Sequence, residues 1–165
     1  MDLLCRLFQK DDLSTICTFP QNAEELFFMF PKASFPLCEE ELSAAIAGRA
    51  DSTVVELDGA PVGFANFYRF EPRGRCSIGN VIVSPSVRRR GVATRLIRHM
   101  LGLAYGKYDA AEVTVACFNA NAAALLLYPK LGFAPFAIEE RFDPRGQRVA
   151  LIHFKHDGAA TWTPA

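Results

Sequence analysis

The stretch CSIGNVIVSPSVRRRGVATRLIRHM, residues 76–100, decides the fold of this chain. Its first half is rich in apolar and β-branched residues, which predicts a strand buried on both faces. Pro85 ends that strand because proline has no N–H for the ladder. In the second half the apolar residues recur at helical spacing, which predicts an amphipathic helix that buries Val92, Leu96, Ile97, Met100, Leu101 and Ala104.

The basic turn between strand and helix, RRRGVA at residues 88–93, indicates a site for an anion. A helix start exposes unpaired N–H groups beside the positive end of the helix dipole. Gly91 lets the backbone approach a ligand closely, and the forked donors of arginine suit phosphate oxygens. A solvated charge run is the alternative, but the order strand, glycine, helix favours phosphate. The Walker and dinucleotide-binding glycine patterns are both absent.

The composition indicates one globular domain that binds a small ligand. The chain has 165 residues, of which 50% are hydrophobic and 22% are charged, which suits a single packed core. Its formal net charge is zero. Because nucleic-acid binders depend on neutralising many phosphates, this balance excludes a general nucleic-acid partner. The local arginine cluster therefore points to a small phosphorylated molecule.

Three further features of the sequence bear on the cellular compartment, on metal binding and on a membrane partner. The five cysteines form no CxxC pair and are odd in number, which predicts reduced thiols in the cytoplasm. The three histidines have no metal-ligand spacing, so no metal is expected. No apolar run is long enough to span a bilayer, and the charged N-terminal segment does not resemble a secretory signal. We therefore expect no membrane partner.

The remaining patterns predict one mixed sheet with helices packed on it. Asp58 and Gly59 predict a hairpin turn. The strands at 76–83 and 112–118 flank a helix and should form a right-handed parallel pair. The tail at 157–165 is small and polar and is expected to be frayed. Further strands are predicted at 3–8, 53–57, 62–70, 133–141 and 148–154, and further helices at 23–30, 39–49 and 120–127.

Two motifs carry a resemblance to a known family. Arg88-x-x-Gly91-x-Ala93 after an apolar strand resembles the [QR]-x-x-G-x-[GA] pyrophosphate loop of the GNAT superfamily of acyl-CoA N-acyltransferases. Residues 113–133, VTVACFNANAAALLLYPKLGF, resemble its other signature: a strand ending in asparagine, a helix, and the ending L-Y-x-K-x-G-F. The resemblance covers roughly residues 3–155 and implies a GNAT domain at 1–156.

The resemblance implies both a fold and an activity. The fold would be α/β: a mixed, mostly antiparallel central sheet with a parallel pair, splayed fourth and fifth strands, and helices on both faces. The activity would be direct transfer of an acetyl group from acetyl-CoA, as co-substrate, to a primary amine, by a monomer or homodimer. An acyl-CoA-binding sensor or interaction domain without catalysis is the alternative, and a carrier-protein or O-directed acyltransferase is a third.

The resemblance also implies which residues form the site. Tyr128 would protonate the leaving thiolate as the general acid, although a tyrosine at a helix end also serves as packing. Asparagines before a helix are also ordinary caps, and for Asn119 and Asn121 both roles stay open. The cofactor-binding residues implied are Val81, Ile82, Val83, Arg88, Arg89, Arg90, Gly91, Val92, Ala93, Thr94, Asn119, Asn121 and Tyr128.

The chain departs from the family pattern at two places. Pro129 stands where an acidic or polar residue is common, and it should disfavour helical geometry at Tyr128. Many members carry a glutamate base near Gly79 and Asn80, where this chain has no carboxylate. A glycine inside a strand often marks a bulge, and we expect one there. The base remains open among four candidates: Glu71, Glu112, the pair Glu24 and Glu25, or water.

The acceptor of this family usually lies between the first helices and the last hairpin. In this chain that region combines aromatic rings with carboxylates at 23–30, 34–36 and 136–142, which would suit a small cationic amine. The alternative is that the rings are core and the carboxylates solvated. The substrate residues expected here are Glu25, Phe28, Phe35 and Asn80.

Overall fold

The structure, a computed structural model, describes residues 1–158. Within this range, seven strands form one sheet in the order β1-β2-β3-β4-β5-β7-β6. The strands are β1 (Leu3–Leu7), β2 (Ala50–Leu57), β3 (Ala60–Phe70), β4 (Arg75–Val83), β5 (Glu112–Phe118), β6 (Phe133–Phe142) and β7 (Arg148–His156). Each predicted strand is therefore present, with ends that shift by a few residues.

In the described part of the chain, five α-helices connect these strands: α1 (Leu13–Ile16), α2 (Ala23–Met29), α3 (Glu39–Ala47), α4 (Val92–Gly106) and α5 (Ala122–Leu127). The predicted helix at 120–127 begins only at Ala122, because Asn121 caps it with its side chain. None of the helices within residues 1–158 is long and apolar enough to cross a membrane. Of the tail predicted to be frayed, only Asp157 and Gly158 lie within the described residues.

One pair of neighbouring strands in the sheet is parallel. Residues 75–78 of β4 pair with residues 112–115 of β5, and every other neighbouring pair is antiparallel. Beyond those four residue pairs, β4 and β5 share no ladder. The expected mixed sheet with a splayed parallel pair is confirmed, and it leaves a gap between the carboxyl ends of two adjacent strands.

Helices cover both faces of the sheet, as expected. The apolar stripe of α4 packs on one face together with Val55 and Phe67, whereas α1, α2 and α3 pack on the other with Val54 and Phe64. Val54 and Val55 belong to opposite cores because successive side chains of a strand point to opposite faces. All four side chains are fully buried. Strand β4 is likewise packed on both faces, because Ile78 belongs to the first core and Ile82 to the second.

A bulge interrupts β4 close to the gap. Phe64 of β3 pairs with Ile82, but Asn66 pairs with Gly79, so β4 holds one more residue than β3 between these points. Asn80 within the bulge has a φ of 50°, a left-handed conformation that asparagine tolerates better than most residues. The bulge expected at Gly79 and Asn80 is thus present.

The cysteines agree with the expectation of free thiols. All five are unpaired, and Cys76 and Cys117 are buried, whereas Cys38 is exposed. Burial raises the pKa of the Cys117 thiol to about 11. A protonated thiol is a poor nucleophile, so Cys117 is suited to packing.

A charge cluster ties β1 to the first helical turn. The guanidinium of Arg6 donates to both carboxylate oxygens of Asp12, at 2.8 and 2.9 Å, and its Nε donates to Glu56 at 2.6 Å. The backbone N–H of Gln9 also donates to Asp12, at 2.7 Å. These hydrogen bonds, Arg6 first, lower the pKa of the Asp12 carboxyl.

We expect Asp12→Asn to lower the free energy of unfolding by about 2 kcal/mol at pH 7, because it breaks a charge-assisted network at a buried site. A lowered pKa means that this contribution is complete above about pH 4, near the pKa of an unfolded aspartate, and disappears as the pH falls through the folded value. Urea unfolding at a series of pH values checks this. Asp11→Asn, at an exposed neighbour, is the control, and equal losses for both variants would contradict the assignment.

Candidate active site

The turn that follows β4, which we predict to bind an anion and call the anion loop (residues 88–94), leaves the start of α4 open. A short 3-10 turn at Pro85–Val87 follows β4, and Arg89 and Gly91 have φ values of 62° and 83°. Gly91 is the N-cap of α4 and supplies no side-chain cap, so N–H groups of the first turn of α4 are available to a ligand. A Cβ built on Gly91 meets nothing within 4 Å. The space in front of the helix start is therefore open, as a pyrophosphate group requires.

Arg88 at the start of this turn forms an ion pair with α2. Its Nη1 and Nη2 donate to the two carboxylate oxygens of Glu25 at 2.7 and 3.0 Å. The hydrogen bond from Arg88 is the main reason that the pKa of Glu25 is lowered. Arg89 and Arg90 are exposed and belong to no ion pair within the described part of the chain. Glu25, expected at the acceptor, thus lies against the anion loop.

Tyr128 lies where α5 passes into a 3-10 turn at Tyr128–Leu131. Its ring is buried, with centroids 5.8 Å from Phe133 and 5.7 Å from Phe154. Burial raises the pKa of its hydroxyl far above the ordinary value. Burial therefore favours the protonated form of the hydroxyl, which can donate a hydrogen bond but is a weaker acid than an exposed tyrosine.

The expected effect of Pro129 on Tyr128 is wrong. Tyr128 keeps a helical conformation, with φ −59° and ψ −42°. Pro129 stands in the first turn of the 3-10 helix, where a backbone N–H has no partner to lose. The packing of the Tyr128 ring on its two aromatic neighbours then outweighs the local preference of a residue before proline.

Both asparagines of the second signature use their side chains within the protein. Asn121 accepts from the N–H of Ala124 at 3.2 Å and caps α5. Asn119 exchanges two hydrogen bonds with Ala150 of β7: its side chain accepts from the N–H and its own N–H donates to the carbonyl, each at 2.9 Å. The capping role left open for Asn121 is therefore present, and a contact of either residue with a ligand stays a prediction.

Helix α2 reaches across to the carboxyl end of β5. The rings of Phe27 and Phe28 stack on Phe118 of β5, with centroids at 4.3 and 6.5 Å. Phe28 is half-buried in this stack. Phe35, in the connection from α2 to α3, is 46% exposed. Of the four residues expected at the acceptor, Phe28 and Glu25 thus share one helix beside the gap, and Phe35 stands apart on the surface.

The carboxylates considered as a general base are mostly engaged elsewhere. Glu71 pairs with Arg69, whose Nε lies 2.8 Å from its carboxylate. Glu112 pairs with Arg75 at 2.5 Å. Glu24 is exposed. None of these carboxylates is therefore placed at the β4 bulge. This agrees with the sequence, which has no glutamate near Gly79 and Asn80.

A guanidinium occupies the place beside the bulge. Arg49, which precedes β2, donates from Nη1 to the side-chain oxygen of Asn66 at 3.1 Å. Asn66 donates to Asn80 at 3.1 Å, and Asn80 donates to the carbonyl of Met29 at 3.0 Å. Asn66 and Asn80 are buried. Arg49 and Asn66 were not predicted from the sequence. The signal there was Gly79, since a glycine within a strand can mark a close approach.

Residues 17–133 match the model of the acetyltransferase (GNAT) family. This match covers more than half of the chain, which therefore belongs to that family. A search of curated proteins found no match. Within residues 1–158, no group of three or more histidine, cysteine or carboxylate side chains could hold a metal ion.

Solved structures share the fold at low sequence identity. A ribosomal-protein-alanine N-acetyltransferase from Brucella melitensis has a TM-score of 0.75 and 18% identity, over 92% of this chain and 98% of that one. An N-acetyltransferase from Staphylococcus aureus Mu50 has a TM-score of 0.75 and 20% identity, over 95% and 99%. A protein from Salmonella typhimurium, described as an acetyltransferase and solved with acetyl-CoA, has a TM-score of 0.69 and 17% identity, over 94% and 93%.

Proposed function

We propose that this chain is an acetyl-CoA-dependent N-acetyltransferase that transfers the acetyl group directly to a primary amine. The observation that carries the proposal is the open anion loop at residues 88–94, at the splayed ends of β4 and β5. Family membership supports it, and so does the Salmonella typhimurium relative solved with acetyl-CoA. The free thiols are in keeping with action in the cytoplasm.

The residues divide the work between binding and proton transfer. Acetyl-CoA supplies the acetyl group as a thioester, whose carbonyl carbon the amine attacks. The anion loop, with Arg88 and Gly91, would hold the pyrophosphate. The backbone of β4 at Val81, Ile82 and Val83 would line the gap and face the acyl arm. Donors fixed in the fold stabilise a developing negative charge at little reorganisation cost.

The other residues of the loop and of the second signature complete the assignment. The loop residues Arg89, Arg90, Val92, Ala93 and Thr94 would surround the phosphates, and Asn119 and Asn121 would contact the pantetheine arm. Tyr128 would give its proton to the leaving thiolate. We propose water as the base, because the β4 bulge carries no carboxylate and Glu25, Glu71 and Glu112 are held in ion pairs.

The proposed cationic nature of the acceptor receives less support from the side chains. Glu25 forms an ion pair with Arg88, and Glu139 forms ion pairs with Arg141 and His153. Carboxylates already paired have less to offer a cationic ligand. These two carboxylates therefore do not by themselves favour a cationic acceptor.

Calorimetry with acetyl-CoA, followed by thiol release against a panel of amines, tests the proposed function. Binding together with amine-dependent thiol release is the expected result. Absence of acetyl-CoA binding by the folded protein would overturn the proposal. Binding without release from any amine would favour the sensor, an acyl-CoA-binding domain without catalysis.

Tyr128→Phe is expected to lower kcat about 100-fold, the usual contribution of a positioned general acid. The acetyl-CoA dissociation constant should stay within about twofold, since the ring and its packing remain. Steady-state kinetics and calorimetry measure the two quantities. Tyr105→Phe is the control, because it removes a different tyrosine hydroxyl, the one that bonds to His156. Unchanged kcat in Tyr128→Phe would remove Tyr128 from the acid role.

Glu25→Gln is expected to tighten acetyl-CoA binding two- to fivefold at low salt. The change leaves Arg88 without a competing carboxylate, and partly exposed ion pairs are worth up to about 1 kcal/mol. The pH–rate profile should not change, because Glu25 is not the base. Glu24→Gln, at an exposed neighbour, is the control for charge alone. Weaker binding in Glu25→Gln, or a shifted pH–rate profile, would refute this account.

A further inference from the structure

The guanidinium of Arg49 lies directly on the β4 bulge. A Cβ built on Gly79 would stand 2.7 Å from Nη1 of Arg49 and 2.7 Å from Cδ1 of Tyr68. Contacts that short are not tolerated, so any side chain at this position displaces the guanidinium or the ring. Gly79 has no positive φ to explain it. The glycine therefore serves the close approach of Arg49 to the strand.

A chain of buried amides fixes the guanidinium in this place. The carbonyl of Met29 can only accept, so Asn80 must present its NH2 group there, at 3.0 Å. The side-chain oxygen of Asn80 then accepts from Asn66, and the oxygen of Asn66 accepts from Arg49, at 3.1 Å in both cases. Each step leaves a single orientation for the next amide. The main chain of α2 thus sets the direction in which Arg49 points.

The charge of Arg49 lacks an anionic partner within residues 1–158. None of the ion pairs in this part of the chain includes it. Arg49 is half-buried, and burial lowers the pKa of its guanidinium. The ring of Tyr68, 46% exposed, lies 5.6 Å from its Cζ. A partly desolvated cation with several N–H donors to spare, open to solvent beside Tyr68, is a site for an anion.

We propose that Arg49 binds the carboxylate of the acceptor, and that the acceptor is a small α-amino acid. This inference rests on the proposed function and names its substrate class. The α-amine of an amino acid is separated from its carboxylate by one carbon atom. A carboxylate on Arg49 therefore holds the amine next to Asn80 and Val81, where β4 borders the gap. A cationic acceptor without a carboxylate would instead meet a like charge.

The reaction balances without a further reactant. The nitrogen of the amino acid forms a bond to the acetyl carbon, and the bond from that carbon to sulfur breaks. The ammonium form of the amino acid gives up two protons in all. One ends on the leaving thiolate, by way of Tyr128 or water, and the other goes to solvent. The products are an N-acetyl amino acid and the free thiol of coenzyme A.

Thiol release with matched acceptors tests the substrate class. The panel contains free amino acids, their carboxamides and the corresponding amines without a carboxyl group. In the wild-type protein, kcat/KM for the preferred amino acid should exceed that for its carboxamide by about 10- to 100-fold, the range for a charge-assisted contact. Arg49→Gln should remove this preference through KM, leaving acetyl-CoA affinity unchanged. Arg98→Gln, at an exposed arginine of α4, is the matched control.

A binding measurement keeps the proposal testable if turnover is slow. NMR titration with N-acetyl amino acids in the presence of coenzyme A should show saturable shifts, which vanish for the carboxamides and in Arg49→Gln. Gly79→Ala should give the same loss, because its methyl group displaces the guanidinium.

The outcomes separate the two proposals. Lack of acetyl-CoA binding defeats the proposed function. Intact acetyl-CoA binding with turnover of carboxylate-free amines at equal or higher kcat/KM overturns the role of Arg49 alone. So does the absence of any preference for carboxylates over carboxamides in binding.

Discussion

Gly91→Glu is expected to weaken acetyl-CoA binding by about 100-fold or more. The new carboxylate would stand in the open space before α4, where the phosphates are proposed to bind. Two like charges at about 4 Å repel by several kcal/mol at the effective dielectric of a protein surface. The added side chain also fills the room that the missing Cβ leaves. Calorimetry with acetyl-CoA measures the effect.

Gly146→Glu is the matched control for Gly91→Glu. Gly146 lies in the turn between β6 and β7, its φ is 78°, and a Cβ built on it also meets nothing within 4 Å. Both variants therefore pay a similar backbone strain, of about 1 kcal/mol. Only the charge in front of α4 distinguishes them. Equal acetyl-CoA affinities for both variants, each shown to be folded, would refute the phosphate assignment.

Asn80→Ala is expected to lower the free energy of unfolding by about 3 kcal/mol. It leaves the carbonyl of Met29 and the NH2 group of Asn66 without their partners inside the core, and buried orphans cost 1–3 kcal/mol each. It also forces alanine into the left-handed backbone of the bulge, at about 1 kcal/mol. Urea unfolding measures the loss. Catalysis should fall as well, because the amide chain directs Arg49.

Two further variants separate these contributions. Asn80→Gly removes the side chain but accepts the positive φ, so it should be about 1 kcal/mol more stable than Asn80→Ala. Asp109→Ala changes an exposed residue with a φ of 48° and should cost only the backbone term. If Asn80→Ala proved no less stable than Asp109→Ala, the buried amide chain would have no energetic role.

The sequence predicted the centre of the fold because its signals there are local. An apolar run, Pro85, Gly91 and a helical repeat follow one another within 25 residues, and each favours the same structure. The bulge at Gly79 and Asn80 was also predictable, since glycine and asparagine both permit unusual backbone geometry. The parallel pair followed from the helix that connects its strands.

The contacts that define the acceptor side were not predictable in the same way. Arg49 reaches Gly79 only because β2, β3 and β4 are neighbours in the sheet and α3 ends just before Arg49. Glu25 meets Arg88 across 63 positions of sequence, which depends on where α2 packs. The prediction from Pro129 was wrong for the opposite reason. The backbone preference of a residue before proline is local, but the tertiary packing of Tyr128 decides its geometry. Contacts between side chains that are distant in sequence can be predicted only when the fold is known.

The strand order determines when each strand can find its partners during synthesis. The strand made last among the described residues, β7, is the inner one: it lies between β5 and β6 and pairs with both. While a ribosome is still making residues 148–156, β6 has no neighbour, and β5 touches β4 through only four residue pairs. The first four strands can pair early as an antiparallel meander. Strand β5 gains its second partner only when β7 has been made. A nascent chain stalled before β7 would thus expose one unpaired edge of β5 and both edges of β6, and unpaired strand edges are sites where other chains bind.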